Sequence, residues 1–192
     1  MNGAGCIFDH YGRIPDPACT AEQFSSPLEE AVYHNDTERL KQLVKDGHPI
    51  TVRLKIGEMT CLEFAAMHGY ADILEILLRE SANFKVIKEY FALDDIVQKA
   101  YMISKNKTTF FDQEALAEIN RYEAACFTAI IYNQPSCLEV LINLGFRDPG
   151  KHCFLVGSEG NEVEKMSATE LARAQGHKKC LEILERRLPH IK

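Results

Sequence analysis

The stretch Thr60-Cys61-Leu62-Glu63-Phe64-Ala65-Ala66-Met67-His68-Gly69-Tyr70, followed by Ile73-Leu74 and Leu77-Leu78, decides the fold. Leu62, Ala65 and Ala66 share one face of a short helix, and the alanines let a neighbouring helix approach closely. Gly69 ends that helix, because glycine enters the left-handed conformation without a Cβ penalty. A second helix follows at once, with Ile73, Leu74, Leu77 and Leu78 as one apolar stripe. Neither helix buries its stripe alone, so the unit has to stack on others like it.

Such units exist along the chain. Ser26-Pro27-Leu28-Glu29-Glu30-Ala31-Val32-Tyr33-His34-Asn35-Asp36, with Leu40 and Leu43-Val44 and ending at Gly47, aligns without a gap. Leu28 to Leu62, Ala31 to Ala65 and Leu43 to Leu77 are each displaced by 34 positions. A third copy reads Cys126-Phe127-Thr128-Ala129-Ile130-Ile131-Tyr132-Asn133, then Pro135, well placed for a helix's first turn, and Leu138, Leu141-Ile142 and Gly145. The last reads Ser167-Ala168-Thr169-Glu170-Leu171-Ala172-Arg173-Ala174-Gln175-Gly176-His177, with Cys180-Leu181 and Ile183-Leu184.

These segments resemble ankyrin repeats, whose pattern is G-x-T-P-L-H-x-A-A-x-x-G-H followed by a leucine pair and G-A. The copy from Thr60 is the nearest match, and together the copies cover roughly two-thirds of the chain. The resemblance implies an all-α fold, an ankyrin-repeat α-solenoid of helix-turn-helix repeats of about 33–34 residues. One departure stands out: the histidine that normally knits adjacent turns is replaced by Glu29, Glu63, Phe127 and Glu170.

The spacing lengthens twice. Ala65 to Ala129 is 64 residues, near two periods, which favours one degenerate central repeat over 91–122 with helices across 91–104 and 112–122. Asp112 would cap the second of these. An inserted helical element is the alternative. Ala129 to Ala172 is 43 residues, and the surplus falls in 145–166. There 152–156 reads as a strand, 157–161 as a turn and 162–166 as the return strand, a β-hairpin finger that is either a functional loop or a tolerated surface insertion. The expected organisation is an irregular N-terminal arm at 1–24, then a repeat domain at 25–192. Its repeats fall near 26–57, 58–90, 91–122, 123–165 and 166–192, the last a polar-faced cap. The arm is mobile or packs over the first repeat through Ile7, Phe8 and Tyr11.

Composition narrows the function. With 46% hydrophobic and 26% charged residues the chain can build a core. Its net charge of −6, with no Lys/Arg block, argues against nucleic-acid binding. No apolar run reaches the ~20 residues that span a bilayer, and no signal peptide is legible. Seven scattered cysteines fit free thiols of a cytoplasmic or nuclear protein.

No phosphate-binding glycine loop, C-x-x-C pair or H-E-x-x-H occurs. Cys6, His10 and Cys19 lack a fourth partner for a metal. Cys61, Cys126 and Cys180 lie on or beside core stripes, where cysteine acts as a small hydrophobe. Glu29, Glu30, Glu63 and Glu75 read as helical surface residues. No catalytic residue, cofactor or metal is therefore expected. In ankyrin-like stacks the two residues before the helix-ending glycine face the concave groove and contact partners. Carried over, these are Tyr33 and His34, Met67 and His68, Ile131 and Tyr132, and Ala174 and Gln175. The expectation is a protein-binding module, an adaptor or inhibitor. A structural subunit assembling through the 145–166 finger is the alternative.

Overall fold

A computed structural model describes residues 24–50, 55–56, 59–81, 85, 113–146, 153–155 and 164–187. Among these the chain is mostly helical, with two very short hairpins. The expected arm at 1–24 (apart from Phe24), helix at 91–104 and turn at 157–161 lie outside the described residues.

Eight helices among the described residues form four antiparallel pairs: α1 (Pro27–Tyr33) with α2 (Thr37–Lys45), α3 (Cys61–His68) with α4 (Ala71–Arg79), α5 (Gln113–Ile131) with α6 (Pro135–Asn143), and α7 (Ala168–Ala174) with α8 (Lys178–Arg187). First helices contact first helices from pair to pair, and second helices contact second helices. The result is a row of pairs with a continuous core. The alanine of each copy explains the close approach: Ala31, Ala65, Ala129 and Ala172 are all 0% exposed. Leu40 of α2, Leu74 and Leu77 of α4, Leu138 and Leu141 of α6, and Leu184 of α8 supply the buried stripe of the second helices.

Three first helices begin the same way. Ser26, Thr60 and Ser167 accept hydrogen bonds from the backbone N–H of Glu29, Glu63 and Glu170, whose carboxylates accept the cap residue's own N–H in return. Each reciprocal pair satisfies two donors that a helix start otherwise leaves open. The glutamates that displace the expected histidine are thus capping residues. Glu29 is only 4% exposed, which corrects its reading as a surface carboxylate.

The third copy has Ala124 and Phe127 at the two capping positions, so nothing there stops the helix. Helix α5 accordingly runs on toward the N-terminus as far as Gln113. Residues 113–122 are helical as expected but belong to α5, and form no helix of a separate degenerate repeat. The pair α3/α4 packs directly on α5/α6: the Gln134 side chain donates from Nε2 to the Met67 carbonyl at 3.0 Å, and the Cys137 thiol points at the Ala65 carbonyl at 3.7 Å. Among the described residues no helix pair stands between them, and 91–112 of the expected degenerate repeat lie outside the described residues. Buried Tyr122 anchors the longer helix by donating its hydroxyl to the Leu141 carbonyl and by stacking near Phe146.

Strand β1 (Lys55–Ile56) pairs antiparallel with β2 (Met59–Thr60), ahead of α3. Strand β3 (Cys153–Leu155) pairs antiparallel with β4 (Glu164–Met166), with Cys153 opposite Met166, so the expected finger forms its two strands.

Candidate functional site

The four turns inside the helix pairs are built alike. The residue four after the alanine has positive φ in every copy: 54° at Asn35, 76° at Gly69, 53° at Asn133 and 70° at Gly176. Glycine and asparagine are the residues that enter this region most readily. The next amide closes each turn by donating back to the alanine carbonyl: Asp36 to Ala31 at 2.8 Å, Tyr70 to Ala65 at 2.9 Å, Gln134 to Ala129 at 2.7 Å and His177 to Ala172 at 3.0 Å. This bond and the left-handed residue make a Schellman ending, which satisfies carbonyls the helix leaves open.

Side chains link these turns across the last two interfaces. Gln134, five after its alanine, donates to Met67, which lies two after the preceding alanine. His177 repeats that register, with its Nε2–H donating to the Ile131 carbonyl at 3.2 Å. That contact places the imidazole proton on Nε2. These two bonds join neighbouring turns where the expected histidines are missing. Cys180 adds a weak thiol contact to the Asn133 side chain at 3.7 Å.

The structure sorts the eight predicted groove residues into two groups. Tyr33 and Met67 are 2% and 5% exposed, which corrects their assignment as accessible contact residues. The Tyr33 ring lies 5.0 Å from Phe24 and stacks on Phe64 at 5.5 Å, so its face is consumed within the core. His68 is partly buried against Phe64 at 4.4 Å and Tyr70 at 5.6 Å. Its Nε2 is buried without a hydrogen-bond partner, and desolvation holds the imidazole below its ordinary pKa.

The other five are exposed: His34, Ile131, Tyr132, Ala174 and Gln175. Ile131 and Tyr132, at 38% and 46%, are the exposed large hydrophobic residues among those described. Met67 and Ile131 hold the same repeat position, yet one is buried and the other exposed.

Groups with chemistry lie elsewhere and are subdued. Cys61, Cys126, Cys137 and Cys180 are buried thiols. Burial pushes Cys137 up to about 12 and raises Cys61 and Cys180, which disfavours the nucleophilic thiolate. Partly buried Glu123 is pushed up to about 7 by desolvation. Among the described residues no group of three or more metal-ligating side chains converges, and no helix is long and apolar enough to cross a membrane. The capping glutamates are a structural signal that sequence reasoning passed over: serine or threonine with glutamate three residues on, before an apolar run.

No family model matches the chain, and no curated protein matches it in sequence.

Proposed function

We propose that this chain is an ankyrin-like repeat stack of the cytoplasm or nucleus that binds another protein through the row of turns, as an adaptor or inhibitor without catalysis of its own. The observation that carries this reading is the exposed pair Ile131–Tyr132, held on a turn with the same backbone geometry as three others. Large apolar and tyrosine side chains on a rigid backbone lose little entropy on binding and are typical interface anchors. Tyr33 and Met67, which hold the repeat position of Ile131, are buried while Ile131 is exposed, and Tyr132 is exposed like its counterpart His34. The contact residues are then His34, Ile131, Tyr132, Ala174 and Gln175, with His68 at their edge. A structural subunit assembling through the 145–166 finger is the second reading, supported by the paired strands β3 and β4.

A photo-crosslinking amino acid at Tyr132, compared with one at exposed Glu182 on α8, tests the proposal in cells. A protein adduct formed from position 132 and absent from 182 is the expected result. Equal adducts from both positions, or an adduct from 182 alone, would refute the turn row as the binding face.

A further inference from the structure

The four turns at 33–36, 67–70, 131–134 and 174–177 hold sixteen residues, of which Asp36 alone is charged with histidine neutral, whereas 26% of the chain is charged. Even Asp36 is engaged, its carboxylate accepting the Arg39 amide at 2.9 Å as the cap of α2. The arginines adjoining the row in sequence are paired: Arg39 with Glu30 at 2.8 Å and Arg173 with Glu185 at 3.1 Å. Among the described residues, exposed Lys178 and Lys179 begin α8, just past the last turn. A charged side chain docked on Ile131 and Tyr132 would lose hydration and meet no counter-charge within the turn at 131–134, a net cost. An apolar side chain seated on Ile131 and Tyr132 would gain burial. His34, the Tyr132 hydroxyl and the Gln175 amide supply hydrogen-bonding groups suited to peptide N–H and C=O.

We propose that the occupant of the row is an uncharged peptide segment of a partner protein, anchored by one large apolar side chain against Ile131 and Tyr132. This rests on the reading of the turn row as the binding face. The test selects binders for the full-length chain from a random-sequence peptide display library and measures their affinity for wild type and for Ile131→Ser/Tyr132→Ser. Both positions are exposed, and matched melting curves for the two proteins establish that the variant folds. The expected winners carry an aromatic or branched apolar residue and no net charge. They lose about tenfold or more in affinity on the variant, as for an interface anchor, and bind equally at low and high salt. Winners rich in Asp/Glu or Lys/Arg that weaken with salt, yet remain sensitive to the variant, overturn the uncharged occupant and leave the row standing. Winners indifferent to the variant overturn the row itself. A selection that yields no binder overturns the peptide occupant.

Discussion

Helices α3 and α5 lie side by side and carry the same alanine, the same left-handed ending and the same inter-turn register, yet they start differently. Thr60 and Glu63 fix the first turn of α3 at Cys61. Ala124 and Phe127 leave α5 free to run on to Gln113. The pair shows that cap chemistry decides where a first helix begins, while the turn at its other end decides how it stacks. Stacking tolerates the loss of a cap because the alanine face and the Schellman turn are unchanged.

The largest effect is expected at that shared turn. Gly69→Ala places a Cβ in a left-handed residue and 2.5 Å from the Gln134 Oε1, so the amide must swing away and abandon Met67. A loss of about 2–3 kcal/mol follows, combining backbone strain of about 1–2 kcal/mol with one hydrogen bond of about 1 kcal/mol. Gly176→Ala has similar φ and open space around it, and is expected to cost only the strain, about 1 kcal/mol. Denaturant melts of both variants give the difference; equal losses would contradict the contact between the pairs.

The two helix starts separate next. Thr60→Ala removes a cap that also donates to Glu63 Oε2 at 2.6 Å, and is expected to cost about 1 kcal/mol. The α5 counterpart of the cap is the tyrosine anchor. Tyr122→Phe forfeits its bond to Leu141, also at about 1 kcal/mol, because that carbonyl still accepts the Phe146 amide at 3.1 Å. Hydrogen exchange distinguishes the two: amides of 61–64 lose protection in the first variant, and amides of 113–122 in the second.

The remaining difference is electrostatic. Glu123 of α5 is pushed up to about 7 by burial, so the folded state holds its proton where the unfolded state releases it. Its stabilising contribution is complete below the ordinary carboxylate range near pH 4.5 and is lost as the pH rises through about 7. Glu123→Gln should remove that loss, on the order of 1–2 kcal/mol after allowing for partial solvent screening. Urea midpoints at pH 5 and pH 8 check it; an unchanged pH slope would contradict the assignment. His68 of α3 has the opposite sign, because its lowered pKa makes stability fall as pH drops below about 6.5. His68→Leu is expected to flatten that acid limb.

What could be read from the sequence follows from the range of the interactions involved. The turns at Asn35, Gly69, Asn133 and Gly176 were legible because five neighbouring residues determine them. The β3 and β4 strands were legible for the same reason. The start of α5 was not, because a helix start is marked by a capping pair and here the mark is an absence. Direct packing of α4 on α6 was hidden too, since a spacing of 64 residues fits two periods as well as one period plus an insertion. At the candidate site, repeat position placed the eight residues at the C-terminal ends of the first helices or just past them, but did not give their exposure. Tyr33 is buried against the rings of Phe24 and Phe64 while Ile131 at the same repeat position is exposed; such outcomes depend on the neighbours a residue meets, which repeat position does not specify.

The turns form one row only if the second pair sits directly on the third, and a double-mutant cycle between Gly69→Ala and Gln134→Ala measures that contact. Gln134→Ala is predicted to cost about 1 kcal/mol with Gly69 present and close to nothing in the Gly69→Ala background, where the added Cβ has already displaced the amide. Additive losses would mean that Gly69 and Gln134 do not touch, and the stack and its binding row would both have to be abandoned.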